Sequence, residues 1–284
     1  MCSIANSEVF VFLMVSRQKN FTTTNADGFS WGGTNYTSLI TPNGRVYGAS
    51  AINPPDQLDQ ITPNHFEAYT GDVALRFRYN IGNSMSEQRF DLGGAYREIW
   101  ISYWIRVPIN YSHGTIGSAF NQKWLAIWMQ AYESTGPEAV WGIHPDGTGG
   151  STISICHNSG NGGCGSYQQT KPFISVPQDR DRWMQVVYQL VASTSSVSND
   201  GAIRFWRRWE NESTFTKLHE LTGLNLPICG TCPNGWHAGY LMGWANATYT
   251  EDTQWMLDDF TVATSSLLAA QKIGLDAPTN LEIK

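Results

Sequence analysis

Three side chains in this sequence are of the types that hold a carboxylate and move a proton. Arg106 closes the run "EIWISYWIRVP", and its planar fork of donors matches a carboxylate bidentately. Lys123 opens "KWLAIWMQ", and His144 ends "AVWGIH" where a strand meets a turn; both types act as bases once their surroundings tune them. Tyr103 is a third proton-transfer candidate, but it shares the parity of Ile101 and Ile105 and so reads as core. Lys123 shares the parity of Leu125, so it reaches an outer face only if its strand begins with a bend or bulge. Gln130 and Asn246 are neutral companions for Arg106.

Such residues act together only if strands present them on one surface. In "EIWISYWIRVP", Ile99, Ile101, Tyr103, Ile105 and Val107 take one parity, leaving Trp100, Trp104 and Arg106 on the other. In "KWLAIWMQ", Leu125, Ile127 and Met129 oppose Trp124, Trp128 and Gln130. In "YLMGWAN", Tyr240, Met242, Trp244 and Asn246 share a face. Faces of Trp, Gln, Asn and Arg suit a sugar, whose flat apolar side stacks on indole while its hydroxyls need amide and guanidinium partners. The sequence therefore predicts a polysaccharide platform built from Trp100, Trp104, Trp124, Trp128, Gln130, Trp244 and Asn246. The competing reading of any one tryptophan is a second hydrophobic layer or a dimer contact.

Strand-like runs separated by Gly, Asn and Pro recur along the whole chain, with no sustained helical period. They predict one all-β domain over residues 21–268, a jelly-roll sandwich of two antiparallel sheets. Residues 1–20 form an N-terminal segment and residues 269–284 a tail. The net charge of −6 argues against nucleic acid as a partner. The apolar run Val9 to Val15 is too short to cross a bilayer and lacks the flanks of a secretory signal. Cys156 and Cys164 flank "HNSGNGG", and Cys229 and Cys232 form "CGTC"; disulfides that staple these loops imply an oxidising, extracellular or virion-associated location. The oligomeric state is not legible. No cofactor is required, but Asp27 and Asp259 could hold a structural Ca²⁺ if the first and last strands pair. A hydrolase would need two carboxylates across a groove, for which Glu98, Glu133 and Glu138 are the candidates.

The segments "SEQRFDLGGAYREIWISYWIRVPINYSH", "NQKWLAIW", "DRDRWMQVVYQL", "NDGAIRFWRRW" and "GYLMGWANATYTEDTQWMLDDFTV" occur in this order. Together they resemble the concanavalin-A-like jelly-roll proteins that include alginate-lyase-like and glucuronan-lyase-like polysaccharide lyases. The resemblance implies a concave sheet that holds the polymer in a long groove. It also implies β-elimination on a uronate-containing glycan, for which the residues read above supply Arg106 as carboxylate clamp and Lys123, at a place where related lyases show a similar Lys-bearing strand, or His144 as base. The chain lacks the R-T/S-E-L-R and Y-F-K-A-G-x-Y-N-Q patterns of the best-known alginate lyases. A non-catalytic carbohydrate-binding or virion-surface protein and a glycoside hydrolase remain the alternatives.

Overall fold

The computed structural model describes residues 12–14, 29–35, 37–41, 44–45, 68–70, 74–113, 121–133, 136–160, 166–228 and 235–268. The first strands are β1 (Phe12–Met14), β2 (Ser30–Asn35), β3 (Thr37–Thr41), β4 (Gly44–Arg45), β5 (Ala74–Tyr79) and β6 (Met85–Tyr96). Then come β7 (Glu98–Arg106), β8 (Gln122–Trp128), β9 (Glu138–Pro145), β10 (Ser151–Asn158) and β11 (Gln168–Ile174). The last are β12 (Trp183–Val191), β13 (Gly201–Trp209), β14 (Thr216–Leu224), β15 (Trp236–Trp244) and β16 (Thr253–Ala263). One sheet runs β14-β13-β12-β7-β16-β5-β3-β4, with β1 also on β16, and the other runs β11-β10-β9-β8-β15-β6-β2. Every pairing is antiparallel. No helix occurs among the described residues.

The two sheets pack face to face because strands such as β7 and β12 turn their aliphatic parity inward. Ile99, Ile101, Tyr103 and Ile105 of β7 meet Leu125, Ile127, Trp141 and Leu241 of the opposite sheet in one core. Trp124 and Trp255 cross edge to face at 5.3 Å between the sheets. Buried polar groups in this core pair with one another: Tyr103 and Tyr188 share a hydroxyl contact of 2.9 Å, and Trp124 Nε1 donates to Tyr188 at 2.8 Å. Tyr103 is thus a core residue, as its parity predicted.

Two irregularities in the seven-stranded sheet decide which side chains reach its outer face. The β8–β9 register shifts between Lys123 and Leu125. That bulge turns Trp124 into the core, fully buried, and leaves Lys123 on the outer side. In β15, Met242 and Gly243 take left-handed φ values of 59° and 139°, so Met242 joins the core while Tyr240 stays outward. The face predicted for Tyr240, Met242, Trp244 and Asn246 is therefore broken, and so is the one predicted for Trp124 and Trp128.

Over β7 the outer face of the nine-stranded sheet is roofed by the chain itself. Tyr69 stacks on Trp104 at 3.8 Å, with 17° between the planes. Thr70 pins this cover: its N–H donates to Asp258 Oδ2 at 2.8 Å and its hydroxyl to Asp259 Oδ1 at 2.9 Å. Trp100 stacks on Trp206 at 5.5 Å and packs with Ala263 and Leu267. Trp100 and Trp104 keep only 6% and 4% of their surface exposed. A further layer of the same chain, rather than a ligand, covers the tryptophans of β7.

Candidate functional site

The outer face of the seven-stranded sheet gathers a different set of side chains. Arg89 of β6 lies opposite Tyr240 of β15, which lies opposite Ala126 of β8. Lys123 lies opposite Gly142 of β9, and His144 follows two residues along the same face, about 7 Å further at the strand repeat. Lys123 stands between two glycines. A Cβ on Gly142 would lie 2.7 Å from Asn121 Oδ1 and 2.8 Å from the Tyr167 hydroxyl, so only glycine lets those two groups close over the strand. On the other flank, a Cβ on Gly243 would meet Tyr240, Lys123 and Glu87.

The β8–β9 connection folds back over this floor. Met129 N–H donates to Pro137 O at 3.0 Å, and Glu133, at a left-handed φ of 57°, donates its N–H to Glu138 Oε2 at 2.9 Å. Tyr132 is thereby laid over Trp128, with centroids 5.8 Å apart, and edge-on to Tyr240 at 5.2 Å. Its hydroxyl is hydrogen-bonded to Lys123 Nζ. Glu133 Oε1 lies 3.8 Å from the same ammonium, and Arg89 pairs with Glu87 at 2.7 Å. Burial raises the phenol pKa values of Tyr132 and Tyr240 far above their ordinary range, so both remain protonated at neutral pH.

Beside them, the His144 ring stands edge-on to Tyr167 at 4.7 Å, and Asn121 Nδ2 donates to the Tyr167 hydroxyl at 3.0 Å. Burial lowers the His144 pKa and keeps the imidazole neutral. Its Nε2 is buried with no hydrogen-bond partner among the described residues. The face thus combines a neutral base, protonated phenols and one central ammonium.

The residues predicted from sequence divide between the two faces. Lys123, His144 and Trp128 meet on the seven-stranded sheet, with Trp128 lying beneath Tyr132. Trp244 is 49% exposed at the end of β15, and Asn246 donates its N–H to the Asn121 carbonyl at 2.9 Å. The Gln130 carbonyl lies 3.2 Å from His237 Nε2. Arg106 is on the other sheet, where it pairs with Asp181 at 2.7 Å beside a pocket of about 170 Å³ lined also by Asn110, Asp252 and Gln254. It is not brought together with Lys123 or His144. Glu98 accepts hydrogen bonds from Trp100 Nε1 and Gln189 on the nine-stranded sheet, away from Glu133 and Glu138.

Asp258 and Asp259 hold Thr70, and among the described residues no three His, Cys, Asp or Glu side chains converge as a metal site. Asp27, Cys164, Cys229 and Cys232 lie outside the described residues; Cys156 is disulfide-bonded. Sequence reasoning missed Tyr132, Tyr167 and Asn121, which come from connections that carry no periodic signal, and it named Glu133 only as a hydrolase carboxylate. The one trace they leave is glycine inside strand patterns, at Gly142 and Gly243.

No protein-family profile matches the chain, and no curated protein matches it in sequence. Among solved structures it is similar to the marine PL-14 alginate lyase from Aplysia kurodai, with a TM-score of 0.54 and 11% identity over 82% of this chain and 100% of that one. It is also similar to an alginate lyase from Chlorella virus, at 0.48 and 11% over 84% and 95%. The exoplasmic domain of VIP36 matches at 0.44 and 12% over 70% and 84%. The architecture is the all-β jelly roll of the alginate lyases.

Proposed function

We propose that the protein is a polysaccharide lyase that cleaves a uronate-containing glycan by β-elimination on the outer face of the seven-stranded sheet. The observation that carries this reading is the Lys123–Tyr132 pair, raised onto that face by the β8 bulge beside neutral His144. The His144 imidazole takes the C5 proton of a bound uronate on the ring nitrogen other than the buried Nε2. The C4–O bond breaks as the C4–C5 double bond forms. Lys123 donates to the Tyr132 oxygen, which leaves the phenol's own proton free for the departing glycosidic oxygen. The ammonium also faces the negative charge that gathers on the uronate carboxylate as the proton leaves. Trp244 and Asn246 extend the binding surface at the strand end. The fold shared with an alginate lyase supports this reading, and the Cys156 disulfide supports an extracellular or virion-associated location.

β-Elimination leaves an unsaturated uronyl end that absorbs in the ultraviolet, so absorbance on mixing with uronate polymers tests the reaction. An absorbance rise abolished by His144→Ala is the expected result. New reducing ends without absorbance would move the chain to the hydrolases. A second reading, non-catalytic carbohydrate binding, is favoured by the carboxylates that already neighbour both cations of the face. It predicts glycan affinity without product and without dependence on His144.

A further inference from the structure

The charges on this face bear on which glycan it accepts. Among the described residues it carries two cations, Arg89 and Lys123, and four carboxylates, Glu87, Asp91, Glu133 and Glu138. Each cation has a carboxylate beside it, Glu87 at 2.7 Å and Glu133 at 3.8 Å. Asp91 lies 3.7 Å from His237 Nδ1, and Glu138 is fully buried at the end of β9. The remaining polar groups are neutral: Asn121, Tyr167, and Ser154 bonded to Thr170 at 2.8 Å. The chain does have clustered arginines, but Arg106, Arg204 and Arg208 belong to the opposite sheet, where Asp181, Glu220 and Gln185 engage them.

A continuous polyuronate presents a carboxylate on every ring. One of these can sit at Lys123, but its neighbours along the chain would face Glu87, Asp91 or Glu133, and like charges so placed oppose binding. Uncharged rings meet no such penalty and find hydroxyl and amide partners instead. Building on the lyase reading above, we infer that the natural substrate carries its carboxylates singly, as a glycan in which uronate alternates with uncharged sugars.

The test compares the full chain on two fully ionised homopolymers, polymannuronate and polyglucuronate, with an unsulfated alternating polymer of glucuronate and N-acetylhexosamine. Formation of unsaturated product is followed at low salt. The alternating polymer is expected to give a kcat/KM at least about tenfold higher, with the gap narrowing as salt screens the face. Glu87→Gln, Glu133→Gln and the exposed Asp91→Asn, each checked for unchanged melting, are expected to move the ratio toward the homopolymers. A homopolymer cleaved as well as the alternating chain would overturn the inference while leaving the lyase reading standing. Absence of unsaturated product from every polymer would overturn both.

Discussion

On the nine-stranded sheet, Tyr69 lies flat on Trp104, and Thr70 fastens it to Asp258 and Asp259. On the seven-stranded sheet, Tyr132 lies over Trp128, and the Glu133 N–H fastens it to Glu138. Both covers use a tyrosine above a tryptophan and a buried carboxylate that receives a backbone N–H. What differs is the neighbour of the phenol. Tyr69 adjoins Trp183 and the Ala74–Met256 cluster, and the cation near it, Arg208, lies over the Trp104 ring and donates to Gln185, whereas the Tyr132 hydroxyl itself meets Lys123, with Tyr240 alongside and His144 on the same face. One tyrosine seals a layer of protein; the other holds a proton beside an ammonium. Tryptophan, arginine and glutamine on an outward parity are therefore not enough to locate a site. The proposed site rests instead on the titratable groups left beside the cover.

The contrast can be broken first at the two tyrosines. Tyr132→Phe is expected to lower turnover by roughly 10²–10⁴-fold, the range for loss of a proton-transfer group, while Tyr69→Phe leaves the steady-state rate unchanged. Equal losses would mean that the faces are not distinct in function. Gly142→Val comes next. The added carbons displace Asn121 and Tyr167, and a displacement of that size costs on the order of 10²-fold in kcat/KM with little change in the melting temperature.

Trp104→Ala should behave the other way. Removing a buried tryptophan costs about 3–5 kcal/mol of stability, read by urea denaturation, with kcat per folded molecule retained.

The last effect is in pH dependence. Burial raises the Asp258 carboxyl to about 7 in the folded chain, above its unfolded value of about 3.9. Between these values the folded state holds a proton that the unfolded state has released. The stability contributed by this group is therefore complete below about pH 4 and lost as pH rises through about 7. In melts across that window, Asp258→Asn should flatten the decline. A steeper decline in the variant would contradict the burial of an uncharged carboxyl beneath Tyr69.

The core of the sandwich was legible because β7 and β12 keep strict alternation: Ile99 to Ile105 and Met184 to Leu190 all point inward as their parity predicts. The site was legible only in part. Lys123 required a bulge, and the bulge is there, but the same bulge buries Trp124, which alternation had placed outside. Met242 and Gly243 disrupt β15 in the same manner. Trp100, Trp104 and Arg106 kept the outward parity they were assigned. What covers them, Tyr69, Trp206, Leu267 and Asp181, comes from distant parts of the chain, and no local pattern announces such a cover. Tyr132 and Tyr167 lie off the strand periods altogether.

The most direct test sets Lys123→Ala against Arg106→Ala on a uronate glycan that the parent cleaves, following unsaturated product by absorbance. Loss of product with Lys123→Ala, and retention within about twofold with Arg106→Ala, is the predicted result, since the first removes a group that contacts the reacting acid. Retention with Lys123→Ala and loss with Arg106→Ala, in a protein that still melts like the parent, would place the chemistry on the nine-stranded sheet and contradict the account.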